Sequence, residues 1–138
     1  MQYRLGRLID HVHLRAADLE ASKRFYRAVL TALGFTSFRE GSGWFSADEL
    51  WIDRAEGPAS RVHLAFQAGS REAVRAFHAA GLAAGGTDNG GPGERAYHPG
   101  YYAAFVLDPD GNNVEAVFHG PSERSAEAVV VTPRAGQP

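Results

Sequence analysis

Two imidazoles and one carboxylate, His11, His63 and Glu115, are the groups of this sequence best placed for chemistry. His11 lies in the apolar run 8–14 and His63 in the run 61–66, each short enough and rich enough in Val, Leu, Ile and aromatic residues to read as a strand. Sliding the chain by 52 residues places His11 on His63, Glu20 on Glu72, Ala21 on Ala73, Phe25 on Phe77, Ala28 on Ala80, Leu30 on Leu82 and Gly34 on Gly86. The chain therefore reads as two copies of one unit. If the copies pack about a pseudo-twofold axis, the two histidines converge. Glu115 sits in the apolar run 113–117, where an unpaired carboxylate is costly, so something cationic should face it. Two neutral imidazoles and a carboxylate leave open positions on one divalent ion, a donor set suited to Fe, Mn, Co, Ni or Zn rather than Ca or Mg.

The elements that must position these groups repeat with the same period. Apolar residues recur at three and four along 18–33, with Asp18 as the expected N-cap and Gly34 as the stop. Residues 70–82 repeat the pattern, with Ser70 as N-cap and Gly85-Gly86 at the end. Strands are expected at 35–38, 43–46 and 50–54 in the first unit, and at 101–107 and 113–118 in the second, the last two joined by a tight Asp108-Pro109-Asp110-Gly111 turn. The glycine-rich stretch 85–93 reads as a loop forming a mobile rim. Each unit is βαβββ. Beyond Gly120 the aromatic residues vanish, and 128–132 reads as a strand that docks elsewhere, such as on a second subunit.

Composition narrows the classes. A chain of 138 residues, 44% hydrophobic, can build one core without covalent staples. The absence of cysteine excludes disulfides, zinc–thiolate sites, iron–sulfur clusters and a thiol nucleophile. A formal net charge of −2 gives no pull toward nucleic acid or an anionic membrane. No stretch is long and apolar enough to span a bilayer, and no signal-peptide pattern opens the sequence, so a cytoplasmic location and a small-molecule ligand are expected.

The runs Ile9-Asp10-His11-Val12, Asp18-Leu19, Phe25-Tyr26 and Val62-His63-Leu64, and above all the stretch from Tyr101 through Asp108-Pro109-Asp110-Gly111 to Glu115, resemble the vicinal oxygen chelate superfamily. That group includes glyoxalase I, extradiol dioxygenases, fosfomycin-modifying thiol transferases and bleomycin-sequestering proteins. The resemblance implies an α+β domain over 1–119, with βαβββ modules at about 7–55 and 61–119 forming a curled half-barrel sheet, and a tail over 120–138. It implies a metal on the concave face, held by His11, His63 and Glu115 and chelated by two neighbouring substrate oxygens. It also implies a homodimer, with modules paired within one chain or across two.

Departures from the family patterns bear on the reaction. Trp51 stands where glyoxalase I has a fourth ligand, with Asp53 two residues on and facing the same way. His98 matches a histidine of the extradiol dioxygenases, but Phe105 stands at their tyrosine position. Arg124 matches an arginine of the thiol transferases. His98, Tyr101 and Tyr102 are the candidate catalytic residues, their role open between substrate contact and loop packing, and His13, Trp44, Trp51, Phe105, Arg95 and Arg124 are the candidates for substrate binding. Two functions follow: a metal-dependent enzyme of lyase, isomerase, dioxygenase or thiol-transfer type, or a metal-free protein that sequesters an aromatic ligand between Trp44, Trp51, Tyr101, Tyr102 and Phe105.

Overall fold

The computed structural model describes residues 2–136. The first module runs β1 (Val12–Ala16), α1 (Leu19–Ala32), β2 (Phe38–Gly41), β3 (Trp44–Ala47) and β4 (Leu50–Arg54). The second runs β5 (His63–Gln67), α2 (Arg71–Ala83), β6 (Thr87–Glu94), β7 (Tyr102–Leu107) and β8 (Asn113–Phe118). The class is α+β and each module is βαβββ. Each forms a four-stranded sheet of the same topology, β1-β4-β3-β2 and β5-β8-β7-β6, with the first and last strands of the module parallel. Among the described residues no ladder joins the two sheets, so the expected curled half-barrel is present as two separate open sheets.

Local chemistry explains the helices. The Asp18 side chain accepts from the Ala21 N–H and Ser70 Oγ accepts from the Ala73 N–H, each satisfying a first-turn amide that the helix leaves unpaired. Both helices end alike, the amides of Phe35 and Gly86 reaching back to the carbonyls of Leu30 and Gly81 around a left-handed Gly34 or Gly85.

One hydrophobic core runs through both modules, because the helices pack side by side. Phe25 and Tyr26 on α1 are fully buried, as are Val74 and Phe77 on α2. Gly81 lets α2 approach Val29 and Val106, and any side chain at Gly86 would strike Phe25, Val106 and the Gly81 carbonyl. The 108–111 turn pins the seam: Asp108 Oδ1 accepts from the amides of Asp110 and Asn112, while Oδ2 accepts from the Tyr26 hydroxyl at 2.6 Å and the Asn112 side chain at 2.8 Å. Burial, and then the Asp108 carboxylate, hold the Tyr26 phenol protonated well above its usual range.

Several expectations are corrected. The first strand starts at Val12 rather than residue 8, because β4 begins at Leu50 and offers residues 8–11 no partner; Leu8 and Ile9 are exposed. The strand expected at 35–38 starts at Phe38, because the Phe35 amide is spent on the helix end. The stretch expected as a loop at 85–93 is largely edge strand β6. Its backbone pairs with β7 through two irregularities, at Asp88/Gly90 and Gly90/Gly93, which accommodate the glycines and Pro92. Residues 128–132 form no strand, and Val129, Val130 and Val131 are exposed. Among the described residues no helix is long and apolar enough to cross a membrane.

Candidate functional site

Strand alternation gives each sheet a core face and an open face. On the second module Leu64, Phe66, Tyr102, Ala104, Val106, Val114 and Ala116 pack inward, which turns His63, Gln67, Tyr101, Phe105 and Glu115 to the other side. The register sets Glu115 between Ala65 and Phe105. Glu115 is 2% exposed yet has a partner for each oxygen: His63 Nε2 lies 2.8 Å from Oε1, and the Tyr101 hydroxyl donates to Oε2. The Tyr101 hydroxyl, and His63 Nε2 in the tautomer that carries its proton there, offset part of the carboxylate's desolvation. Burial and the neighbouring Glu115 push the Tyr101 phenol above its ordinary range, so it remains a donor to the carboxylate.

Other expected residues gather around this centre. Phe105 lies 6.0 Å from His63, ring to ring, and Arg95 stacks over Phe105 while donating to the Gly91 carbonyl at 2.8 Å. His98 packs edge-on against Tyr101 and meets His119 at 2.8 Å. Arg124 donates to Gln67 at the far end of β5, about 13 Å along the strand from His63. Tyr102 is corrected: it faces the core, 6% exposed, beneath the guanidinium groups of Arg71 and Arg75, because it alternates with Tyr101.

The first module presents a different surface. Its register pairs His13 with Trp51, as the second pairs Ala65 with Glu115, so an indole occupies the position equivalent to the carboxylate. Trp51 stacks on Trp44 with centroids 4.7 Å apart and planes 8° from parallel. His13 Nε2 lies 2.9 Å from Asp53 Oδ1 but off the hydrogen-bonding direction, leaving that oxygen without a donor. His11 precedes the β1 ladder, is half or more exposed and contacts Asp10 at 2.7 Å. With His13, Asp48, Glu49 and Trp51 it lines an open hollow of about 370 Å³.

The intrachain triad is thus not assembled. His63 and Glu115 meet, His11 lies with the other module, and among the described residues no three His, Asp or Glu side chains gather closely enough to hold an ion. The reason is the helix-to-helix seam, which joins the modules without pairing β1 to β5. One member of the second face escaped sequence reasoning. His119 falls four residues after Glu115, and the two-residue alternation already puts it on the same face.

Comparison with known proteins accords with this architecture. No curated protein matches the chain. A glyoxalase/bleomycin resistance protein from Albidiferax ferrireducens T118 is 35% identical, with a TM-score of 0.68 over 80% of this chain and 97% of its own. A glyoxalase-related enzyme from Fulvimarina pelagi is 21% identical, with a TM-score of 0.65 over 81% of this chain and 88% of its own. The oxidase ChaP-H2 is 22% identical, with a TM-score of 0.58 over 90% of this chain and 98% of its own; these last two likenesses concern the fold. The family profile matches residues 8–116, and with the duplicated βαβββ module around it, the chain belongs to the Glyoxalase/Bleomycin resistance protein/Dioxygenase superfamily.

Proposed function

We propose that the protein is a metal-dependent enzyme acting on a small substrate with two neighbouring oxygens, its centre built around His63 and Glu115 of one copy and completed by His11 of a second. The observation that carries this reading is the buried Glu115 carboxylate, set against Nε2 of the half-exposed His63 on an otherwise open face. An imidazole and a carboxylate suit Fe, Mn, Co, Ni or Zn, and a second imidazole nitrogen as third ligand would bring the set to the number that leaves positions free for substrate. A divalent ion held there supplies Lewis-acid polarisation of a bound oxygen. The chain's own groups do the rest. Tyr101 fixes the second oxygen of Glu115, and Phe105 and Arg95 wall the site on the β6 side.

The test is metal content and assembly state together. Protein purified without chelator and reloaded is expected to be a dimer with one ion per Glu115, lost in His63→Ala and in His11→Ala. Mixing His11→Ala with Glu115→Ala protomers should restore ion binding in the mixed dimer to half the sites. A monomer, or retention of metal by both single variants, would sink the proposal.

The stacked Trp44–Trp51 pair supports a second reading, a metal-free protein that sequesters a planar aromatic ligand. Full ligand affinity in metal-free His63→Ala protein, lost on Trp51→Ala, would favour it.

A further inference from the structure

His98 and His119 come from distant parts of the chain and meet because two glycines permit it. Gly100 (φ +89°) and Gly120 (φ +97°) bring the 97–101 turn against the end of β8; a Cβ at Gly100 would lie 3.2 Å from the His119 carbonyl oxygen. The contact that results has a direction. His98 Nδ1 lies 2.8 Å from the Pro99 carbonyl oxygen, which can only accept, so Nδ1 carries the proton. In the neutral ring His98 Nε2 is then an acceptor, and its partner at 2.8 Å, His119 Nδ1, must be the donor. His119 Nε2 is thereby left with a free lone pair on an exposed ring. Tyr101, whose hydroxyl reaches Glu115, packs edge-on against both imidazoles, with centroids 5.3 and 5.1 Å away.

We propose that His98 and His119 form a directed proton-acceptor pair beside the Glu115 centre, with His119 Nε2 as the base and His98 as the residue that positions it. The proposal rests on the reading of that face as catalytic and adds to it the group that takes a proton from a substrate bound there. In the step, the substrate's bond to hydrogen breaks, its electron pair stays on the substrate atom, and the proton bonds to His119 Nε2. His119 keeps its Nδ1–H, and the hydrogen bond to His98 shares the positive charge. No further reactant is consumed.

The tautomers are directly measurable. In ¹⁵N-histidine-labelled protein with neutral rings, long-range ¹H–¹⁵N spectra should show Nδ1–H on both His98 and His119. His98→Gln, which keeps a carbonyl oxygen able to accept, should preserve the His119 tautomer, whereas His98→Leu should average it. Acylation of His119 by diethyl pyrocarbonate should outpace that of His78, whose Nε2 is held by Asp88 at 2.9 Å. It should fall severalfold in His98→Leu and stay near wild type in His98→Gln. Nε2–H on either ring of the wild type, or one His119 rate in all three proteins, overturns the proposal. Metal content separates it from the reading on which it rests. His119→Gln should bind metal as the wild type does, and loss of metal there would make His119 a ligand instead of a base. Directed tautomers in a wild type that binds no metal would keep the pair and discard the metal centre.

Discussion

The two modules share a topology, a first-strand histidine and a capped helix, yet their open faces have diverged at one register position. Opposite Ala65 the second module places Glu115, buried and held by His63 and Tyr101; opposite His13 the first places Trp51, stacked on Trp44. A carboxylate beside a half-exposed imidazole could supply two donors to the proposed ion, and a pair of parallel indoles is an apolar wall. The scaffold is the same in both modules, while the side chains at this register position differ in kind.

The largest effect expected from breaking this asymmetry is loss of the proposed ion. Glu115→Gln should abolish stoichiometric metal binding, measured by elemental analysis, while Asp53→Asn on the other module leaves it intact; equal losses would mean that both faces contribute carboxylates. Next in size is a contrast at the helix ends. Gly86→Ala forces a methyl to within 2.4 Å of Val106 and 2.7 Å of the Gly81 carbonyl and should cost about 1–3 kcal/mol in urea unfolding. Gly34→Ala, in open space at φ +91°, should cost only the left-handed strain of about 1 kcal/mol. Tyr26→Phe removes one of two donors to Asp108 Oδ2 across the seam and should cost about 1 kcal/mol.

The smallest effect is alkaline and compares one tyrosine from each module. Burial, then the adjacent carboxylate, raises Tyr26 and Tyr101 in the folded chain, so both stay protonated after the unfolded chain has begun to ionise. Their contribution to stability is whole below about pH 10 and is lost as pH rises through the folded values. Urea unfolding across that range should show the decline, diminished in part by Tyr26→Phe and in part by Tyr101→Phe. An unchanged decline in both variants would assign it to other groups.

Much of this was legible in the sequence. Alternation locates His63 and Glu115 on one face, and aligning residues 48–51 with 112–115, an offset of 64 that allows for a longer second module, puts Trp51 at the position of Glu115, as the register has it. Repeat identity misled in one place: it aligns Gly34 with Gly86, but α2 ends one residue sooner, so Gly85 takes the left-handed turn and Gly86 is required by packing against Phe25. β6 was illegible because its pairing is written in backbone amides rather than side chains. The separation of His11 from Glu115 was illegible too, since a periodic pattern says which face a residue occupies and nothing of whether two faces belong to one chain's cleft. Tyr102 needed only the alternation that Tyr101 already implied.

Phe25, Tyr26 and Val29 meet the other half of the molecule through Gly86, Asp108 and Gly81, so neither half can part from its neighbour without baring aromatic rings to water. One half alone would leave those rings uncovered unless a second half met them. Fusing two such halves makes the partnership permanent, and each surface turned away from the seam is then free to evolve without endangering the fold.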